Sequence, residues 1–133
     1  MSNDMYREQI LDLYENPLNY GELDPNHFSY EEDNPLCGDV IRIDVRLDDA
    51  GKVTDIAWSG DGCAISQASA SLLTDHVKGM TLDEVKKLEG QDILDLLGIS
   101  LSMARVKCAT LSLKVLKAGA YGLPDPEALR KHL

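Results

Sequence analysis

Long apolar runs are absent from this chain of 133 residues, and so are the usual marks of export. No stretch approaches the roughly 20 apolar residues that a membrane-spanning helix requires. The opening residues, MSNDMYREQ, are polar and acidic where a secretory signal would carry basic residues followed by an apolar segment. The sequence therefore predicts a cytoplasmic protein that does not contact a membrane.

Basic residues are scarce as well. The 13 Lys and Arg residues stand against 23 Asp and Glu residues, which gives a net charge of -10. A nucleic-acid partner is not expected, because a protein that binds a phosphate backbone needs a basic surface. Nucleotide-binding loops of the GxGxxG type are also missing. What is present is an ordinary globular composition, with 44% hydrophobic and 27% charged residues, and the length favours a single domain over residues 1–133.

Cysteines are few, and no CxxC pair occurs among them. Cys37, Cys63 and Cys108 are an odd number, so they do not all pair within one chain, and a cytosolic thiol is normally reduced. Three roles stay open for such residues: a small buried apolar side chain, a metal ligand or a reactive nucleophile.

Several stretches of the sequence have helical character. The segment MYREQILDLYENP carries apolar residues at helical spacing and stops at Pro17. The sequence TLDE, with Thr81 and Glu84, has the pattern of a capping box that opens a short helix. The polar stretch from Leu18 to Pro35 is interpreted as a long loop. Further helices are predicted over 66–77, 92–97 and 104–120, and over the terminal PDPEALRKHL.

The clearest β pattern lies in DVIRIDVRLDDAGKVTDIAW. Residues 49–51, Asp-Ala-Gly, have the composition of a hairpin connection, so a returning strand is predicted over Val53–Trp58. The first strand alternates apolar and charged residues, which predicts an antiparallel sheet with one face covered and the other in water. A helix, then strands, then helices is the order of an α+β domain. The apolar face comprises Ile41, Ile43, Val45 and Leu47, and the charged face comprises Arg42, Asp44, Arg46 and Asp48.

The cysteines occupy positions that favour an accessible sulfur. Cys37 lies in a turn before the first strand with Asp39 two residues on, Cys63 follows a glycine loop, and Cys108 lies near the start of the long helix. The amino end of a helix favours a thiolate. Three thiolates and one carboxylate suit a tetrahedral zinc ion, and they also suit a 2Fe–2S cluster, although that cluster normally takes four cysteines. A shared metal site and scattered structural thiols both remain open at this point.

Residues around the cysteines carry further expectations. Gly38, Gly60 and Gly62 are expected to let the backbone approach a bulky metal centre. Lys107 either lowers the pKa of the neighbouring Cys108 thiol or pairs with the aspartate when the metal is absent, or it is an ordinary solvated lysine. The functional readings of Lys107 and the ordinary one all stay open.

Serines and histidines do not form a second site. Ser66, Ser69 and Ser71 have no histidine placed to activate them, so they are interpreted as capping and packing residues. The histidines have no ligand-type spacing to one another: His27, His76 and His132.

Three long motifs occur in a familiar order. NPLCGD, GDGCAISQASASLLTDHVKG and RVKCATLSLKVLKAG resemble the three cysteine segments of the IscU/SufU/NifU N-terminal family of iron–sulfur cluster assembly proteins, and YENPLNYGEL is similar to the start of that family. The resemblance covers most of the chain. It implies an α+β fold with a three-stranded antiparallel sheet and helices packed on one face, of the SufE/NifU-like kind.

The resemblance also implies a site and a function. Cys37, Asp39, Cys63 and Cys108 correspond to the family's ligands, and Cys108 is the candidate sulfur acceptor. Such proteins accept sulfur as persulfide from a cysteine desulfurase. Scaffold members build a transient 2Fe–2S cluster and pass it to recipient apoproteins, and a cluster bridged between protomers would give a homo-oligomer. SufU members hold zinc at the same site and relay sulfur.

The branch of the family is mixed in this chain. Lys107 replaces the histidine that precedes the third cysteine in IscU, and SMARVK replaces the LPPVK segment. GCAIS and RVKCATL resemble SufU, whereas the spacing between Cys63 and Cys108 is close to the shorter IscU length. We therefore expect a non-enzymatic scaffold, with a zinc-dependent sulfurtransferase as the alternative. A purely structural zinc domain is the third hypothesis, and Asp39 argues against it because structural zinc sites are usually closed by Cys or His.

Overall fold

A computed structural model of the protein describes residues 2–34 and 38–122. Helices and strands follow the predicted order of an α+β domain, and none of the helices in these two ranges is long and apolar enough to cross a membrane. The helix predicted for the last ten residues lies outside the described part. The elements are α1 (Ser2–Glu15), β1 (Phe28–Asn34), β2 (Asp39–Leu47), β3 (Val53–Asp61), α2 (Ala64–Val77), α3 (Leu82–Lys86), α4 (Gly90–Leu97) and α5 (Met103–Gly122).

The sheet has three antiparallel strands in the order β1-β2-β3, as the resemblance implied. Helix α5 packs on β1 and β2, and α2 packs on β3. Three of the four residues predicted for the apolar face, Ile41, Ile43 and Val45, are fully buried, and the fourth, Leu47, is partly buried. The hydrophobic core therefore lies between one face of the sheet and the helices, which confirms the predicted fold class.

The prediction of a loop from Leu18 to Pro35 is wrong in part, because this stretch contains strand β1. Among the described residues this strand pairs only with β2, so it is an edge strand of the sheet. Only its first and last residues, Phe28 and Asn34, are buried, and its centre carries the acidic residues 31–33. Charged side chains are common on edge strands, where they discourage pairing with another chain. The absence of an alternating apolar pattern therefore concealed the strand.

The segment before β1 is fastened to the far edge of the sheet. Trp58 is fully buried in β3, and its backbone N–H donates to the Asn19 carbonyl at 2.9 Å. The indole Nε1–H donates to the Leu18 carbonyl at 2.8 Å, and the Tyr20 ring meets the indole edge-on with 4.8 Å between centroids. One buried tryptophan thus holds a segment that has little regular structure of its own.

Asp44 corrects a second expectation, that the charged face of β2 lies in water. Its side chain is only 1% exposed. The Leu23 amide donates to Asp44 Oδ2 at 3.0 Å, and the Ser29 hydroxyl and Arg42 Nε donate to Oδ1 at 2.6 and 2.9 Å. Burial disfavours the charged carboxylate, but these three donors outweigh it and lower the pKa of Asp44 below its ordinary value.

The capping box predicted at the start of α3 is present. The Thr81 hydroxyl accepts from the Glu84 amide at 3.2 Å, and Glu84 Oε1 accepts from the Thr81 amide at 3.2 Å. Each side chain satisfies a backbone N–H that the first helical turn leaves without a partner. The sequence predicts this helix start correctly because the motif is entirely local.

Candidate metal centre

Three side chains from three elements converge at one end of the domain. Asp39 begins β2, Cys63 is the N-cap of α2, and Cys108 lies in α5. One ligand atom from each lies within 4.8 Å of the other two. The fourth predicted ligand, Cys37, lies outside the described residues. The structure thus brings together three of the four residues that the sequence singled out.

Asp39 is a buried carboxylate, 1% exposed, with few partners of its own. Its Oδ1 accepts a hydrogen bond from the Cys63 amide at 2.9 Å, and Oδ2 lies 3.8 Å from Cys63 Sγ. Among the described residues, no Lys, Arg or His side chain forms a salt bridge with it. A buried carboxylate usually needs a cation or a metal to offset its desolvation. The chemistry of this carboxylate therefore fits a metal ligand.

The loop before α2 is shaped by a missing side chain at Gly62. A Cβ atom added there would lie 2.5 Å from Ser66 Oγ and 2.6 Å from Asp39 Oδ1. No real Cβ approaches other atoms so closely, so both oxygens use the space that glycine leaves open. Of the three predicted glycines, Gly62 is the one where a side chain would collide with a candidate ligand. A Cβ at Gly60 would collide with the backbone of β2 instead, and a Cβ at Gly38 would meet nothing within 4 Å.

Cys63 is half-buried, and its side chain makes no capping hydrogen bond to the first turn of α2. Its Sγ lies 3.8 Å from both Asp39 Oδ2 and Ser66 Oγ. The N-cap position places this sulfur beside the amide groups at the amino end of a 14-residue helix. Cys63 is therefore in the helix-terminal environment that the sequence predicted for it.

Cys108 lies near the start of the long helix, as predicted, but its surroundings differ from those expected of an accessible thiol. Helix α5 begins at Met103, so Cys108 belongs to its second turn rather than its first. The influence of the helix dipole is concentrated within the first turn, so the helix-end reasoning applies to Cys63 and not to Cys108. Cys108 is also 2% exposed, which means that its sulfur is nearly covered by the surrounding protein.

Lys107 lies on the exposed side of α5, beside the candidate site. Together with Asp33, Thr110 and Lys114 it lines an open cavity of about 280 Å³ between β1 and α5. Within the described ranges, no salt bridge joins Lys107 to Asp39. The geometry therefore places the Lys107 side chain at the surface of this end of the domain.

The histidines and Ser69 are not part of the candidate metal centre in the described part of the chain. They lie away from it or form hydrogen bonds with backbone groups. His27 Nδ1 accepts from the Leu47 amide at 3.0 Å, and His76 is exposed near the end of α2. The Ser69 hydroxyl donates to the Ile65 carbonyl at 2.8 Å. His132 lies outside the described residues.

The chain is similar to known proteins over most of its length. A family model described as the NifU-like N terminal domain matches residues 5–126. The zinc-dependent sulfurtransferase SufU of Bacillus subtilis (strain 168) is 39% identical over 132 residues, covering 86% of this chain and 88% of the relative. The iron–sulfur cluster assembly scaffold protein IscU of Escherichia coli (strain K12) is 34% identical over 116 residues, covering 85% of this chain and 89% of the relative.

Solved structures share the fold as well. The crystal structure of FiSufU from thermophilic Fervidobacterium islandicum AW-1 aligns with a TM-score of 0.76 at 26% identity, covering 90% of this chain and 99% of that chain. The chain therefore belongs to the NifU-like N-terminal domain family, the IscU/SufU family of iron–sulfur cluster assembly scaffolds. The resemblance carried by the three cysteine segments is confirmed.

Proposed function

We propose that this protein accepts sulfur from a cysteine desulfurase, assembles a transient 2Fe–2S cluster on Cys37, Asp39, Cys63 and Cys108, and transfers the cluster to recipient apoproteins. The observation that carries the proposal is the buried Asp39 carboxylate, which has no cationic partner among the described residues and lies with Cys63 and Cys108 in one group of ligand atoms within 4.8 Å. Membership of the scaffold family supports the same role.

A carboxylate ligand suits a cluster that has to leave. Oxygen matches iron–sulfur chemistry less well than sulfur does, so the Asp39 ligand is the most easily displaced of the four. The half-buried Cys63, on a loop without a side chain at Gly62, provides the open side of the site. A permanent electron carrier would gain from four cysteines and a covered cluster instead.

The alternative is a zinc-holding sulfur acceptor that stimulates a cysteine desulfurase. Its support is the 39% identity to a zinc-dependent sulfurtransferase and a donor set that also suits tetrahedral zinc. Cys108 is the proposed acceptor: its thiolate attacks the terminal sulfur of the desulfurase persulfide, a new S–S bond forms, and the desulfurase thiolate leaves. Because Cys108 is 2% exposed, the site has to open before this transfer.

The two roles are separated by anaerobic elemental analysis before and after incubation with ferrous iron, L-cysteine, a cysteine desulfurase and dithiothreitol, which reduces the persulfide sulfur to sulfide. The scaffold role predicts equal amounts of iron and acid-labile sulfide, with a 2Fe–2S absorption spectrum. Zinc that resists replacement, together with faster desulfurase turnover, would instead establish the sulfur-acceptor role. The Cys63→Ser variant is the control and is expected to lose cluster assembly. A wild-type protein that gains neither cluster nor turnover would contradict both.

A further inference from the structure

We propose that Ser66 is a positioning residue of the metal centre, whose hydroxyl donates a hydrogen bond to the sulfur of Cys63 when that sulfur binds a metal. This inference rests on the proposed binding of a metal by Cys63 and its neighbours. The sequence suggested only capping or packing for this serine. Its position in the folded chain gives it a more specific role.

The geometry of Ser66 allows one hydroxyl proton to serve two acceptors. Ser66 is 1% exposed, and its Oγ lies 3.0 Å from the Cys63 carbonyl oxygen and 3.8 Å from Cys63 Sγ. The hydroxyl donates to the carbonyl in the described arrangement. A hydroxyl hydrogen rotates to suit its surroundings, and a negatively charged acceptor forms the stronger hydrogen bond. A metal-bound thiolate at Cys63 would therefore compete well for this proton.

The lack of a side chain at Gly62 is a second observation that supports the proposed role of Ser66. Asp39 Oδ1 and Ser66 Oγ both occupy the volume that a side chain at residue 62 would fill. One of these oxygens belongs to a proposed ligand, and the other is within reach of a proposed ligand sulfur. Ser66 is thus part of the wall of the site, next to Asp39 and Cys63.

Besides the Cys63 carbonyl, no acidic side chain in the first turn of α2 competes for this donor. Cys63 makes no side-chain capping bond, and the first turn of α2 contains no acidic residue. Groups that hold metal ligands from outside are common in metal sites, and removing one typically lowers metal affinity about 10- to 100-fold. Ser66 is positioned to act in that way on Cys63.

Ser69 offers a matched control in the same helix. Its side chain is fully buried, and its hydroxyl donates to the Ile65 carbonyl at 2.8 Å, much as the Ser66 hydroxyl donates to the Cys63 carbonyl. No hydrogen bond joins Ser69 to a sulfur atom in the described part of the chain. Ser66→Ala and Ser69→Ala therefore each remove a buried hydroxyl and one hydrogen bond to the backbone, but only the first removes a donor near Cys63.

The experiment uses the full, reduced chain loaded anaerobically with Co²⁺, whose thiolate charge-transfer band reports on the bound sulfur. A donor to sulfur withdraws electron density, so Ser66→Ala is expected to shift this band to lower energy and to weaken Co²⁺ binding about 10-fold against a competing chelator. Ser69→Ala is expected to keep the wild-type band and affinity. Ser66→Thr, which retains the hydroxyl, is expected to keep the wild-type band.

Each other result overturns the inference. An unchanged band in Ser66→Ala, or an equal shift in Ser69→Ala, would show that Ser66 has a packing role only. If Ser66→Ala does not fold, the test depends on Ser66→Thr. A folded Ser66→Thr protein whose charge-transfer band is shifted from the wild-type band would overturn the proposed role of Ser66. A wild-type protein that binds no Co²⁺ would contradict the proposed metal site itself, which is a different failure and is visible before any serine variant is compared.

Discussion

Two buried aspartates of strand β2 show how differently one residue type is used in this protein. Asp44 is surrounded by donors, since Leu23, Ser29 and Arg42 each contribute a hydrogen bond to its carboxylate. Asp39 is equally buried, but its oxygens meet only the amide and the sulfur of Cys63 among the described residues. The first aspartate is satisfied by the fold, whereas the second retains acceptor capacity for a metal.

Replacement of Asp39 by cysteine is expected to make a cluster last longer. The Asp39→Cys variant would offer four sulfur ligands, which match a 2Fe–2S cluster better than three sulfurs and an oxygen. The decay of cluster absorbance should become several-fold slower, and transfer to an apoprotein should slow with it. Asp39→Asn is the control for loss of the charge. Equal decay in wild type and Asp39→Cys would contradict a role for the carboxylate in cluster release.

A methyl group at Gly62 is expected to disturb both the site and the fold. In Gly62→Ala, the oxygens of Asp39 and Ser66 must both move away from the new Cβ. We expect an affinity for Zn²⁺ about 10-fold lower, as for other changes that displace a ligand from outside, and a loss of about 1–3 kcal/mol in unfolding free energy from overpacking.

Gly51→Ala provides the comparison for that variant. Gly51 has a positive φ of 79° in the β2–β3 hairpin and open space around it, so alanine there causes backbone strain without touching the site. It should lower stability while leaving Zn²⁺ affinity unchanged, as measured by chelator competition and urea unfolding. An unchanged affinity in Gly62→Ala would mean that the loop tolerates a side chain beside Asp39.

At the scale of elements, local patterns predicted local structure. The alternation in β2, the hairpin after it and the capping box at Thr81 all depend on neighbouring residues, and all are present. Strand β1 was missed because its pairing with β2, and not its own apolar content, makes it a strand. Local patterns could not predict the proximity of Cys63 and Cys108 either. These residues are far apart in sequence, and the packing of α2 against α5 brings them together.

The burial of Asp44 was missed for a related reason. Its lowered pKa also leads to a prediction about how stability depends on pH. The segment before β1 crosses the charged face of β2, and its Leu23 amide helps to bury the carboxylate. Because the pKa of Asp44 is lower in the folded protein than in the unfolded chain, where it is about 3.9, the ion stabilises the fold above that pH. The stabilisation is lost as the pH falls below about 4, when the unfolded chain takes up the proton first.

The Asp44→Asn variant tests this linkage by urea unfolding between about pH 3 and pH 7. We expect it to lower the free energy of unfolding by about 1–3 kcal/mol at pH 7, since hydrogen bonds to a charge are lost, and to have a smaller effect at pH 3. Asp55→Asn is the control, because Asp55 is exposed and its oxygen lies 3.8 Å from Arg46 Nη1. That change is expected to cost less than about 1 kcal/mol. An equal cost of Asp44→Asn at both pH values would contradict the assignment.

At the scale of the whole molecule, the candidate site joins elements that the core already holds together. The core includes large side chains from the sheet and from α2, α4 and α5, among them Trp58, Leu73, Leu97 and Leu116, all fully buried. A chain of this size buries enough surface to fold without a metal, unlike a small zinc finger. A metal would therefore add to a fold that exists already.

Because the chain is expected to fold without a metal, the response of its thermal stability to zinc can be predicted. The chain treated with a chelator should stay folded, with a cooperative thermal transition, and Zn²⁺ should raise the midpoint by several degrees. Binding to the native state alone adds about 2.7 kcal/mol when free zinc is 100 times its Kd. Cys63→Ser should melt like the metal-free wild type whether or not zinc is added. Unfolding of the wild type on chelation would instead identify a structural zinc domain, because a scaffold that gives up its cargo has to remain folded afterwards.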